Sequence, residues 1–146
     1  MKIMVAVDGS QAAGRAVAQA IALGGEILLV TVLEAPGAYF PNILLPTGDW
    51  VTVSGPADRD LEKLLTEAAE NLLARYQREC EAAGRTAQAR LLRGTPRETL
   101  CQVAAQEQPD ILAIGSRGLG SVERLVLGSV SDYVVHHAPC PVLVVR

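Results

Sequence analysis

The strongest constraint in this chain is an alternation. Short runs rich in apolar residues, Ile3–Val7, Ile27–Leu33, Ala87–Leu92, Ile111–Ile114 and Pro141–Val145, are separated by stretches whose apolar residues recur at helical spacing. Ile3–Val7 is apolar at every position, so it has no face to offer water and needs cover on both sides. Strands that alternate with helices meet that need as a parallel sheet with helices on both faces. Five strands and four helices fill the 146 residues as one three-layer α/β domain spanning 1–146.

The helices carry their own signals. Ser10 reads as the N-cap of a first helix that ends near Gly24. Pro56 opens a second helix, in which Leu61, Leu64, Leu65, Ala68, Leu72, Leu73, Tyr76 and Cys80 form one buried stripe, and Gly84 ends it. Thr95-Pro96-Arg97-Glu98 reads as a capping box for a helix reaching about Gln108. Val130–His137 is the last helix. Between Glu34 and Gly55 no pattern holds, and the region to Pro56 contains Pro36, Pro41, Pro46 and Pro56, half of the chain's eight prolines. A stretch this long is expected to be a mobile flap or a partner surface, carrying Tyr39, Phe40 and Trp50; the alternative is that Trp50 packs back onto the domain.

Composition excludes several classes. A net charge of −3 with scattered basic residues gives no field for nucleic acid or a membrane surface. No apolar run approaches a membrane span, and the apolar run at the N-terminus is too short for a signal peptide, so the expected location is the cytoplasm. Cys80, Cys101 and Cys140 are widely spaced and read as reduced, mostly buried thiols. His136 and His137 are neighbours on a helix and point in different directions, so no metal site is expected of them; a helix C-terminus favours them for its dipole alone.

The segment with chemical content is Gly115-Ser-Arg-Gly118-Leu-Gly120-Ser121-Val-Glu-Arg-Leu-Val-Leu-Gly128-Ser129. It leaves the fourth strand and enters a helix. Glycines let main-chain N–H groups approach a phosphate, and the first turn of the helix adds unpaired donors. Ser129 can cap that helix and donate to a phosphate oxygen. The bland alternative is that the glycines only turn the chain. The P-loop pattern is absent, and Gly118-Leu-Gly120-Ser-Val-Glu123 puts Glu where a dinucleotide fingerprint needs its third glycine.

The spacing Gly115-x2-Gly118-x9-Gly128-Ser129 resembles the ATP-binding pattern of the universal stress protein family. So do the opening Ile3-Met4-Val5-Ala6-Val7-Asp8-Gly9-Ser10 and the ending from Val134 to Val145, and the similarity is weakest between Glu34 and Gly55. The resemblance implies a Rossmann-like, adenine nucleotide alpha hydrolase-like sheet in the order 3-2-1-4-5. It implies ATP, with or without Mg2+, as the bound cofactor. In an open sheet of that order, ligands bind beyond the strand ends where the order reverses, here between the first and fourth strands. By resemblance, Ala6, Val7 and Asp8 line the adenine and ribose side, and Val32 closes the adenine pocket. Gly115, Gly118, Gly128, Ser129 and Val130 hold ribose and phosphates. Asp8 also reads as an Asx turn residue. Arg117 and Arg124 read either as phosphate partners or as solvent-facing charges.

No catalytic set is legible: Ser10, Ser116, Ser121 and Ser129 are loop or capping serines, and no lysine occupies the glycine loop. The expected product is a regulatory, stress-response state, with ATP hydrolysed slowly if at all. The rivals are a true ATPase or nucleotidyl-transfer enzyme, and an interaction module with no nucleotide. The last strand is an apolar sheet edge, which, together with the family resemblance, implies a homodimer through it.

Overall fold

The computed structural model describes residues 1–34, 42–44, 46–52, 59–117 and 127–146. In chain order the elements are β1 (Lys2–Ala6), α1 (Gln11–Leu23), β2 (Glu26–Leu33), β3 (Asn42–Leu44), β4 (Trp50–Thr52), α2 (Arg59–Ala82), β5 (Ala87–Arg93), α3 (Pro96–Glu107), β6 (Ile111–Gly115), α4 (Ser129–His137) and β7 (Val142–Val145). Five of the strands form a parallel sheet ordered β5-β2-β1-β6-β7. Counted along the chain without β3 and β4, this is the 3-2-1-4-5 order that the resemblance implies.

β1 is central, and Ile3, Met4 and Val5 are wholly buried on alternate faces. Ile3, Val5 and Val7 pack with Ala16, Val17 and Ala20 of α1 and with Leu72, Leu73, Tyr76 and Cys80 of α2. Met4 packs on the other face with Leu100, Val103 and Ala104 of α3 and Val134 of α4. The sheet therefore lies between one helix pair and the other, as strands apolar on both faces require.

Ser10 caps α1 as expected, its Oγ accepting from the Ala13 N–H at 3.1 Å, and Gly24 ends the helix at φ 84°. Several local expectations are corrected. Leu64 is 47% exposed while Ala69 is fully buried, because the α2 stripe runs 61, 65, 69, 72, 73, 76, 80 and leaves position 64 on its flank. Thr95 stands, exposed, at the N-cap of α3, but its hydroxyl makes no capping hydrogen bond. Gly128, not Ser129, is the N-cap of α4, so Ser129 is the first helical residue and its hydroxyl does not cap. Pro56 lies outside the described residues.

The Glu34–Gly55 stretch contains regular structure. β3 and β4 pair antiparallel, Leu44 opposite Trp50, across a turn in which Gly48 takes φ 94°. Pro46, in that turn, is buried, and its carbonyl lies where a side chain at Gly9 would stand. The hairpin turn thus rests on the chain just after β1. Tyr39 and Phe40 lie outside the described residues.

Candidate functional site

β1 and β6 lie side by side, Val5 opposite Ala113, and the connections from their C-terminal ends run to opposite layers: α1 after β1, α4 after β6. The strand order reverses here, so a crevice opens beyond the strand ends. Val7 and Gly115 each sit two residues past that matched pair.

On the β1 side, Ala6 and Val32 are half-buried and, like Val130, pack against the same apolar cluster, so all three belong to one layer of the domain. Val7 does not join them. Its side chain belongs to the opposite core, its N–H donates to the Val30 carbonyl at 2.9 Å, and its carbonyl accepts the Thr31 hydroxyl at 3.0 Å. What Val7 can still offer is the second lone pair of that carbonyl. Asp8 is half-buried, and its Oδ1 accepts from the Ser10 N–H at 2.9 Å. The Asx turn is therefore formed, which engages one carboxylate oxygen and orients the side chain.

On the β6 side, Gly115 is buried. Its missing side chain makes room for α1, since a Cβ there would stand 2.8 Å from that of Ala12. Gly118 and Arg124 lie outside the described residues. The two ends of the glycine loop meet at one atom, the Ser116 carbonyl oxygen. It accepts the Gly128 N–H at 2.8 Å and the Ser131 hydroxyl at 2.7 Å, while the Ser116 N–H donates to Val145 at 2.6 Å. Gly128, Ser129 and Val130 are thereby held at the start of α4, with the positive end of its dipole at the loop. Arg117 is half-buried at the other end of the loop.

Thr31 and Ser131 were missed by sequence reading. A hydroxyl that donates to a distant carbonyl leaves no periodic signal. Ser131 was detectable only as a polar residue on the inward side of an apolar helix.

This arrangement has close relatives. The family model for the universal stress protein family matches residues 1–146. The chain belongs to the universal stress protein family. A universal stress protein of Thermus aquaticus is 38% identical over 152 aligned residues, covering 99% of this chain and 97% of that protein. Among solved structures, universal stress protein UspA from Lactobacillus plantarum superposes with a TM-score of 0.79 at 26% identity, covering 100% of this chain and 97% of that one. A universal stress protein family protein from Arabidopsis thaliana, solved with AMP bound, gives a TM-score of 0.65 at 24% identity, covering 99% and 90%, a likeness of fold.

As a universal stress protein, this chain brings to the crevice apolar side chains of one layer, one carboxylate and one helix N-terminus. That combination suits a ligand with an apolar ring at one end and anionic charge at the other. Among the described residues no group of three His, Cys, Asp or Glu side chains is placed to hold a metal ion, and no helix is long and apolar enough to cross a membrane. His136 and His137 lie in the last turn of α4, exposed. Their Nδ1 atoms sit 2.8 and 2.9 Å from the carbonyls of Asp132 and Tyr133, one turn back, and the His137 ring stacks on Tyr133.

Proposed function

We propose that this universal stress protein binds an adenine nucleotide, ATP foremost, in the crevice between the ends of β1 and β6. One observation carries the reading: the Ser116 carbonyl draws both ends of the glycine loop together beside the N-terminus of α4. Donors held in place before a ligand arrives bind phosphate at a lower ordering cost. Ala6, Val32 and Val130 suit the face of an adenine ring, and Asp8 suits ribose hydroxyls. The main-chain N–H groups of Ser129 and Val130 are assigned to the phosphates, with Gly118 and Gly128 admitting them by lacking side chains, since the Gly128 N–H is already held by the Ser116 carbonyl. Mg2+ accompanies ATP as counter-charge, and Gly115 and the main chain of Val7 are assigned to the ribose and adenine edges. The AMP in the Arabidopsis family member makes an adenine nucleotide the first ligand to test.

The proposed role is regulatory. The bound nucleotide sets a conformational or assembly state in the cytoplasm, and hydrolysis is slow or absent. Residues that hold ground-state phosphates without positioning a water give binding without turnover. The protein is proposed to work as a homodimer joined through β7.

Mass spectrometry of small molecules released from the denatured, purified protein tests the ligand. Calorimetry with ATP on the wild type and Gly128→Leu tests the site: the variant should fold and lose ATP affinity. Unchanged affinity would remove Gly128 from the site. Phosphate release faster than about 1 per second would make the protein an ordinary enzyme instead.

A further inference from the structure

Among the described residues, Thr31 and Ser131 are the two buried polar side chains, 3% and 2% exposed. A buried hydroxyl is costly unless it is hydrogen-bonded, and Val or Ala would fill the same space without that demand. Both hydroxyls donate to main-chain carbonyls, and both carbonyls lie at the crevice. Thr31 Oγ1, from β2, reaches the carbonyl of Val7, the residue after β1, at 3.0 Å. Ser131 Oγ, from α4, reaches the carbonyl of Ser116, the residue after β6, at 2.7 Å. It also lies 3.0 Å from the Gly128 carbonyl, the ordinary back-bond of a serine on its own helix. The contact with Ser116 is the non-local one.

We propose that Thr31 and Ser131 are positioning residues for the two lips of the site, each specific to one part of the ligand. This rests on the adenine-nucleotide reading above. Thr31 fixes the Val7 carbonyl and so aims Asp8, at the base and ribose side. Ser131 shares the Ser116 carbonyl with the Gly128 N–H and so fixes the start of α4, at the phosphate side. Neither side chain touches the ligand.

The division of labour is measurable. Calorimetry would compare adenosine, AMP and ATP on the wild type, Thr31→Val and Ser131→Ala. Thr31→Val should weaken all three ligands by one common factor. Ser131→Ala should leave adenosine unchanged and weaken ATP about tenfold, the order of one lost hydrogen bond, with AMP between. Thr31→Ser and Ser131→Thr keep the donors and should recover affinity. Two variants that weaken all three ligands alike, in proportion to lost thermal stability, would reduce both residues to core packing and overturn the proposal, as would unchanged affinities. If the wild type binds none of the three, the nucleotide reading is what falls. The pinning is then judged by amide exchange without ligand. Faster exchange at Gly128 in Ser131→Ala but not in Thr31→Val supports it, and equal exchange overturns it.

Discussion

Gly115 and Ala12 pack so closely where α1 meets β6 that a Cβ added at Gly115 would stand 2.8 Å from the Cβ of Ala12 and 3.0 Å from its carbonyl carbon. The glycine is needed for the approach of α1 to β6 whatever the crevice binds. Gly115→Ala should therefore destabilise the protein by about 1–3 kcal/mol, the usual cost of overpacking a tight contact. Urea denaturation measures it. An unchanged midpoint would mean that α1 can retreat at no cost.

Glu107, at the end of α3, joins two strands that are not neighbours. Its carboxylate lies 2.6 Å from Lys2 Nζ of β1 and 2.8 Å from Arg90 Nη1 of β5, with β2 between them. The hydrogen bond from Lys2, then the Lys2 charge, hold the Glu107 pKa below its ordinary value; desolvation opposes them, and the charge of Arg90 adds the least to the lowering. A carboxylate whose pKa is depressed by folding stabilises the protein above its unfolded pKa. That contribution is lost as pH falls through the folded one. The melting temperature of the wild type should fall more steeply below pH 5 or so than that of Glu107→Gln. Parallel acid limbs would show that solvent screens the pair.

The three thiols are free, Cys80 buried and Cys101 and Cys140 half-buried. Desolvation raises the pKa of each. Glu79 and Glu81 add to the effect at Cys80, and Cys140 adds to it at Cys101. Since the thiolate is the nucleophile, all three should react slowly with iodoacetamide at neutral pH while folded, and promptly once denatured. Rapid labelling of the folded protein at any of them would contradict this.

β7 supplies the prediction about assembly. Val142–Val145 are all apolar yet only half-buried, because β7 is paired with β6 on one side and forms an edge of the sheet. An apolar edge of this kind is usually covered, and a two-fold partner strand covers it with its own copy. Sedimentation at micromolar concentration should give twice the 15.4 kDa chain mass. A single species at the chain mass, with and without ATP, would exclude the dimer under those conditions.

The main sheet was legible because burial on both faces writes itself into composition: Ile3, Met4 and Val5 admit no solvent-facing strand. The strand order came from family resemblance, since apolar runs do not say which neighbour they choose. The β3–β4 hairpin was hidden by short strands among prolines. Cap positions slipped by one residue at Gly128 and Ser129, where both residue types suit either place. On the site, chain order and glycine spacing pointed to the crevice. They did not reveal that Gly115 is also a packing glycine, or that Val7 has little main chain left to offer. Those facts depend on what the fold brings against each residue from far along the chain.

The seat of the hairpin on Gly9 ties two distant stretches of sequence into one heritable unit. The β3–β4 ladder is separate from the five-stranded sheet, so the contact at Gly9 is a place where it meets the main fold without sharing its hydrogen bonds. Position 9 cannot drift while the Pro46 carbonyl occupies the space a side chain would need. Any descendant that shortens or removes the hairpin frees position 9 at the same moment, and one that gains a side chain there must first have moved its hairpin aside.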